Sequence, residues 1–139
     1  MSYASQADMV NRFGSAEVIA ISDRSSAGVI DATVLAAGLA DADAEIDPYL
    51  MPKYMLPLGN VPKVLSGIAC DITRYRLCGG SALMTDEIRN RYQDAVKFLV
   101  RISRGEISLG LDAAGMAASP TNTVQFVQES NPVFSRGNR

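Results

Sequence analysis

The sequence predicts a mainly α-helical fold, a small bundle of about five helices, three of them long or medium, with a C-terminal extended or β arm. Three observations predict it. Val61 to Leu77 places Val64, Leu65, Ile68, Ala69, Ile72 and Tyr75 on one broad helical face. Two further stretches repeat apolar residues in steps of three and four, Leu35-Leu39-Ala42-Ile46-Tyr49 and Ile88-Tyr92-Ala95-Leu99-Ile102. Past Gly105 that period gives way to short runs that alternate apolar and polar residues. The expected organisation is a helical core over residues 1–105 and an arm over residues 106–139.

Each element has local support. Ser5 is placed to cap a short helix over Gln6 to Arg12, which Gly14 ends, and Ser15 to cap a second through about Ile21. Met9, Val10, Phe13, Val18 and Ile21 are the expected core contribution of this pair. Asp31 is the expected cap of a helix from Ala32 to Asp47 or slightly beyond. Pro48, Pro52, Pro57 and Pro62 then interrupt regular helix, while Tyr49, Leu50, Tyr54, Met55 and Leu56 between them are too apolar for a loose linker. An ordered connection laid against the helices is expected. In the central helix Pro62 suits the first turn, Gly79-Gly80 the end, and Cys70, Leu77, Ser66 and Thr73 form a second small face, as if the helix were covered on two sides. Thr85 caps the last long helix, with Asp86 and Glu87 at the positive end of its dipole. Glu106–Leu111 and Thr123–Gln128 read as strands, and Val133 and Phe134 as anchors near the end.

Composition narrows the chemistry. The 139 residues fit one domain, with 47% hydrophobic and 20% charged residues. No segment approaches the ~20 apolar residues of a membrane span, and the opening lacks the pattern of a secretory signal. The chain has no histidine, which removes most zinc sites and histidine-based nucleophilic triads. Cys70 and Cys78 lie on one predicted helix, about 12 Å apart along its axis, too far for a disulfide. Asp23 to Asp31 has the outline of a calcium loop, but Ala27 and Val34 stand where oxygen ligands are needed. A turn is the better reading. No metal and no cofactor are expected.

Charge is unevenly spread. Residues 1–52 hold eight acids against two bases, and residues 53–139 eleven bases against seven acids. Either the halves neutralise each other within one fold, or an acidic flank of one copy meets a basic flank of the next, a heterologous contact that can close a ring. Asp41, Asp43, Glu45 and Asp47 form the acidic edge; successive helical positions diverge by about 100°, so the four cannot converge on one ion. Lys97, Arg101 and Arg104 form a basic edge. In the arm, Val124, Phe126, Val133 and Phe134 are candidates for docking on a neighbour by strand addition or by an aromatic dropped into a pocket.

YASQADMVNRFG, DADAEIDPYL, YMLPL, IACDITRYRLCG, ISLGLD and VFSR, in that order and spacing, resemble the small head–tail joining (adaptor, or head-completion) proteins of Mu-like tailed phages, from about Tyr3 to Arg136. The resemblance implies a helical structural protein of the virion neck, made in the host cytoplasm, without catalytic residues. It implies a homo-oligomeric ring matching an about twelve-fold portal, docked between the portal and a stopper or tail-completion protein, with packaged DNA in its lumen. Relatives often carry a more Asp-rich stretch where this chain has Ser25, Ser26 and Ala27, which speaks against carrying over metal binding. The alternative is a small helical nucleic-acid-binding module built on Arg74, Arg76, Arg89, Arg91, Lys97, Arg101 and Arg104. A pI near 5.0 and no tryptophan count against it. An enzyme is not expected.

Overall fold

In the computed structural model, which describes residues 1–79 and 83–117, five helices follow in order: α1 (Gln6–Phe13), α2 (Ser15–Ser22), α3 (Ala32–Leu50), α4 (Lys63–Cys78) and α5 (Asp86–Ser103). The three longer ones are those with the apolar seams. α4 is the hub and touches each of the other four. Leu65, Ala69, Cys70, Ile72, Thr73 and Cys78 along it are fully buried; on the second small face Cys70 and Thr73 are covered, while Ser66 and Leu77 are half-buried. Val64 is the exception on the broad face, 42% exposed in the first turn.

α3 and α4 come close because Gly38 has no side chain. A Cβ there would stand 3.0 Å from Leu77 Cδ2, tighter than ordinary packing, and the Thr73 hydroxyl, buried beside it, donates to Ala69 O at 2.7 Å. The α3 seam is Leu35, Gly38, Leu39, Ala42, Ile46 and Leu50; Leu50 takes the last buried place and Tyr49 is half-buried. The helix runs through Pro48. The acceptor that proline leaves unbonded is the carbonyl of Ala44, an exposed residue, which water can satisfy. In α5, Ile88, Ala95, Leu99 and Ile102 are buried and Tyr92 is half-buried.

The caps refine the expected ends. Ser5 and Asp8 form a reciprocal capping box on α1. Asp31 accepts from Thr33 N and Val34 N, and Thr85 from Ile88 N. Gly14 both ends α1 and caps α2, so Ser15 is the first residue of α2 rather than its cap; at φ 86° Gly14 holds the left-handed backbone that links two helices without an intervening loop. Pro62 is the cap of α4, one position before the first turn, and Gly79 ends that helix at φ −53°, not at a positive φ. Gly80 lies outside the described residues.

Asp23 to Asp31 is a turn organised by one carboxylate. Asp23 accepts from Ala27 N at 3.0 Å and Gly28 N at 2.6 Å, and these backbone donors hold its pKa below the usual range. Residues 51–62 pack as an irregular connection with Tyr54 and Leu58 buried. Residues 107–117 lie along it: Leu109 N donates to Tyr54 Oη at 3.0 Å, Met55 N to Ala113 O at 2.9 Å and Asn60 N to Gly115 O at 3.1 Å. Glu106–Leu111 is therefore not a strand. Within it only Leu109 N bonds to the proline-rich connection, through the Tyr54 hydroxyl, and one isolated bridge, Leu111–Ala117, is left, with no strand among the described residues. Thr123–Gln128, with Val124, Phe126, Val133 and Phe134, lies outside the described residues.

Candidate assembly surface

The acidic edge of α3 resolves into separate contacts. Asp43 Oδ1 accepts from Tyr3 N at 3.0 Å, and Asp47 accepts from the Tyr3 hydroxyl. Tyr3 is thereby fastened over the middle of α3, 3% exposed. Its phenol is pushed well above its ordinary pKa, by burial first and then by the bond to Asp47. Glu45 reaches two helices at once: Arg76 Nε of α4 donates to it at 2.9 Å, and Tyr92 Oη of α5 at 2.7 Å. That bond, more than burial, pushes the Tyr92 phenol up to about 12. Tyr75 stacks on Tyr92 with ring centroids 4.0 Å apart. Asp41 is the exposed member of the four and makes no ion pair among the described residues.

A second cluster joins α1, α2, α4 and α5. Arg74, 9% exposed, binds Glu17 of α2 through Nε and Nη2 at 2.5 Å each, stands over the Phe13 ring at 4.6 Å, and has Glu87 of α5 3.9 Å from Nη1. Asp71 lies between Arg12 of α1 at 3.3 Å and Arg91 of α5 at 3.9 Å. Its Oδ1 is buried without a hydrogen bond, and burial raises its pKa against the pull of Arg12 and Arg91. No periodicity or chemical motif in the sequence marks Tyr3, Glu17 or Asp71, and Arg74 stands there only among the bases of a nucleic-acid-binding face. A signal for Arg74 was available: Cys70, Arg74 and Cys78 share one stripe at four-residue spacing, and a base inside an apolar stripe implies a buried partner.

The basic edge of α5 differs. Lys97 meets Asp94 at 3.6 Å and Arg101 meets Glu106 at 3.2 Å, all four side chains well exposed. Arg104 has no ion pair among the described residues. The three bases rim a shallow groove of about 350 Å³ floored by Val96 and Val100. No group of three or more acidic, cysteine or histidine residues suited to a metal occurs among the described residues. No helix there is long and apolar enough to cross a membrane. Cys70 and Cys78 are buried thiols, and burial pushes the Cys70 thiol up to about 11.

The family model "Bacteriophage Mu, Gp36" matches residues 3–128. The chain is 37% identical over 109 residues to the Mu-like prophage FluMu protein gp36 of Haemophilus influenzae, covering 78% of this chain and 76% of that one. It is 31% identical over 137 residues to Gene product J of Escherichia phage Mu, covering 98% and 96% respectively. The chain belongs to the bacteriophage Mu Gp36 family.

Proposed function

We propose that this member of the Mu Gp36 family is a structural protein of the virion neck that acts without catalysis or a cofactor. It forms a ring matching an about twelve-fold portal, joins the portal to a stopper or tail-completion protein, and lets packaged DNA pass through its lumen. The observation that carries this reading is the fate of the charged side chains. Of the seven bases that would serve a nucleic-acid-binding face, Arg74, Arg76, Arg89, Arg91, Lys97 and Arg101 each have a carboxylate within 3.6 Å. Duplex binding draws on cations free to displace counterions from phosphates; Arg74 and Arg76, tied across helices to Glu17 and Glu45, are withdrawn from that role, which leaves, of the seven, only the exposed bases of α5. Arg12, Arg74 and Arg76 clamp helix to helix through Asp71, Glu17 and Glu45, whereas the pairs of Arg89, Lys97 and Arg101 are local to α5 and its end.

What this body presents outward includes Asp41 and the basic outer face of α5. Asp41 of one copy against the basic face of the next is a head-to-tail contact that closes around an axis. Val124, Phe126, Val133 and Phe134 supply the apolar anchors of that contact or of the one to the portal or tail side. Electron cryo-microscopy of the purified protein, alone and mixed with portal, is expected to show rings on the portal vertex. Deleting residues 123–139 is expected to abolish head binding or tail joining in an assembly assay. Salt-dependent binding of a short duplex, with no rings in either sample, would transfer the assignment to the nucleic-acid module.

A further inference from the structure

α5 has two faces. The inner one carries Ile88, Ala95, Leu99 and Ile102 into the core. On the outer one, Val96 and Val100 are only partly covered and stand apart from the core cluster, flooring the groove rimmed by Lys97, Arg101 and Arg104. The rim is loosely tied. Lys97 and Asp94 are each more than 70% exposed, and Arg101 and Glu106 about half, so these pairs give way readily to another partner. The aliphatic stems of Lys97, Arg101 and Arg104 extend the apolar wall, with their charged ends at its lip.

We propose that this groove receives Val124 and Phe126 from the C-terminal segment of a neighbouring copy. The inference rests on the ring reading for the word "neighbouring" and on the groove itself for the rest. Twenty-two residues follow Ala117, the last described one. Phe126 is nine residue steps past Ala117, which at ~3.3 Å per extended residue gives a reach of roughly 30 Å, about the diameter of a small domain. Residues 118–139 hold one acid, Glu129, and two bases near the end, Arg136 and Arg139, so the charge closest in sequence to Val124 and Phe126 is the acid, opposite in sign to the three cations of the rim. The spacing also agrees. Docked as an extended chain, residues two apart such as Val124 and Phe126 would share one side about 6.6 Å apart, and Val96 and Val100 are about 6 Å apart along the helix. An aromatic ring fits over the floor between the two valines, with Glu129 a few residues on to meet Arg101 or Arg104.

The test uses the full chain. Ser130→Cys carries a nitroxide; Cys70 and Cys78 are 1% and 0% exposed, and the buried Cys70 thiol resists deprotonation, so the new thiol reacts first. Spin-labelled chains are mixed with isotope-labelled wild-type chains, and the methyl signals of Val96 and Val100 are followed. Broadening of those methyls in the mixture, with Val18 and Leu35 spared, is expected. Phe126→Ala in the spin-labelled chain should weaken docking about tenfold, as for an aromatic anchor lost from a pocket. Val100→Thr in the receiving chain keeps the shape of the side chain and should weaken it too. Sharp groove methyls in the mixture would overturn the proposal, as would broadening confined to the chain that bears the label. No portal is needed: groove broadening without portal rings refutes the neck reading alone, and rings with sharp groove methyls refute the groove alone.

Discussion

Two charged edges that look alike in the sequence behave differently in the fold. On α3, Asp43, Glu45 and Asp47 each meet a group from a distant part of the chain: the N-terminal Tyr3, Arg76 of α4 and Tyr92 of α5. On α5, Lys97 and Arg101 meet only exposed near neighbours in sequence, and Arg104 none of the described carboxylates. The Glu45 side chain is 13% exposed and that of Lys97 72%. An ionic contact matters to the fold when water is kept from it and other helices are tied through it, whereas an exposed pair is screened and exchangeable. The α3 edge is part of the body, and the α5 edge is available to something outside it.

The contrast is sharpened most by Arg74, the extreme case of an inward-facing charge. Arg74→Ala should lower stability by about 2–4 kcal/mol, because Glu17 loses its partner and Phe13 its cation; urea unfolding followed by circular dichroism measures it. A change below half that would mean that the cluster is as replaceable as a surface pair. Glu45→Ala should cost about 1–2 kcal/mol in the same assay, less than a fully buried pair because the Arg76 side chain is 42% exposed.

The pH dependence gives a finer test of the same edge. The Tyr92 phenol keeps its proton more firmly folded than unfolded, so its contribution is whole below pH about 10 and is lost as pH rises through about 12. Absorbance titration should show Tyr92 ionising late in the wild type and closer to its ordinary value in Glu45→Gln. An unchanged titration would show that the hydrogen bond from Tyr92 to Glu45 does not hold the proton. Smallest of all should be Lys97→Ala and Arg104→Ala, within about 0.5 kcal/mol of wild type in thermal unfolding. A larger loss from either would place the α5 edge with the body and remove the contrast.

Much of the body was legible beforehand. The seams of α3 and α5 lie at the residues their periodicity indicated, save that Leu50 rather than Tyr49 closes the α3 seam, and Ser5, Asp31 and Thr85 cap the helices they were expected to cap, since a cap is set by neighbours two or three residues away. The turn at Asp23 was likewise visible from residues that could not ligate a cation. Other features were not. Glu106–Leu111 alternates like a strand, but alternation states only which faces differ; Leu109 met the Tyr54 hydroxyl, and the residues after it, Ala113 and Gly115, met the backbone of the connection, instead of a second strand. Among the expected interface residues, Asp43, Glu45 and Asp47 have partners within the subunit, while Asp41, Lys97, Arg101 and Arg104 lie at the surface.

The sequence by itself determined the helical class, the number and faces of the helices, most of their boundaries and, through resemblance, a Mu-like phage family. These depend on interactions within a few turns of one segment, which periodicity and caps record directly. Only the tertiary structure decided which charges are inward: that Tyr3 returns to α3, that Arg74 joins four helices, and that Val96 and Val100 are left with bases around them. Those outcomes depend on which surfaces meet across thirty to sixty residues of chain, and a single sequence records no register for such meetings.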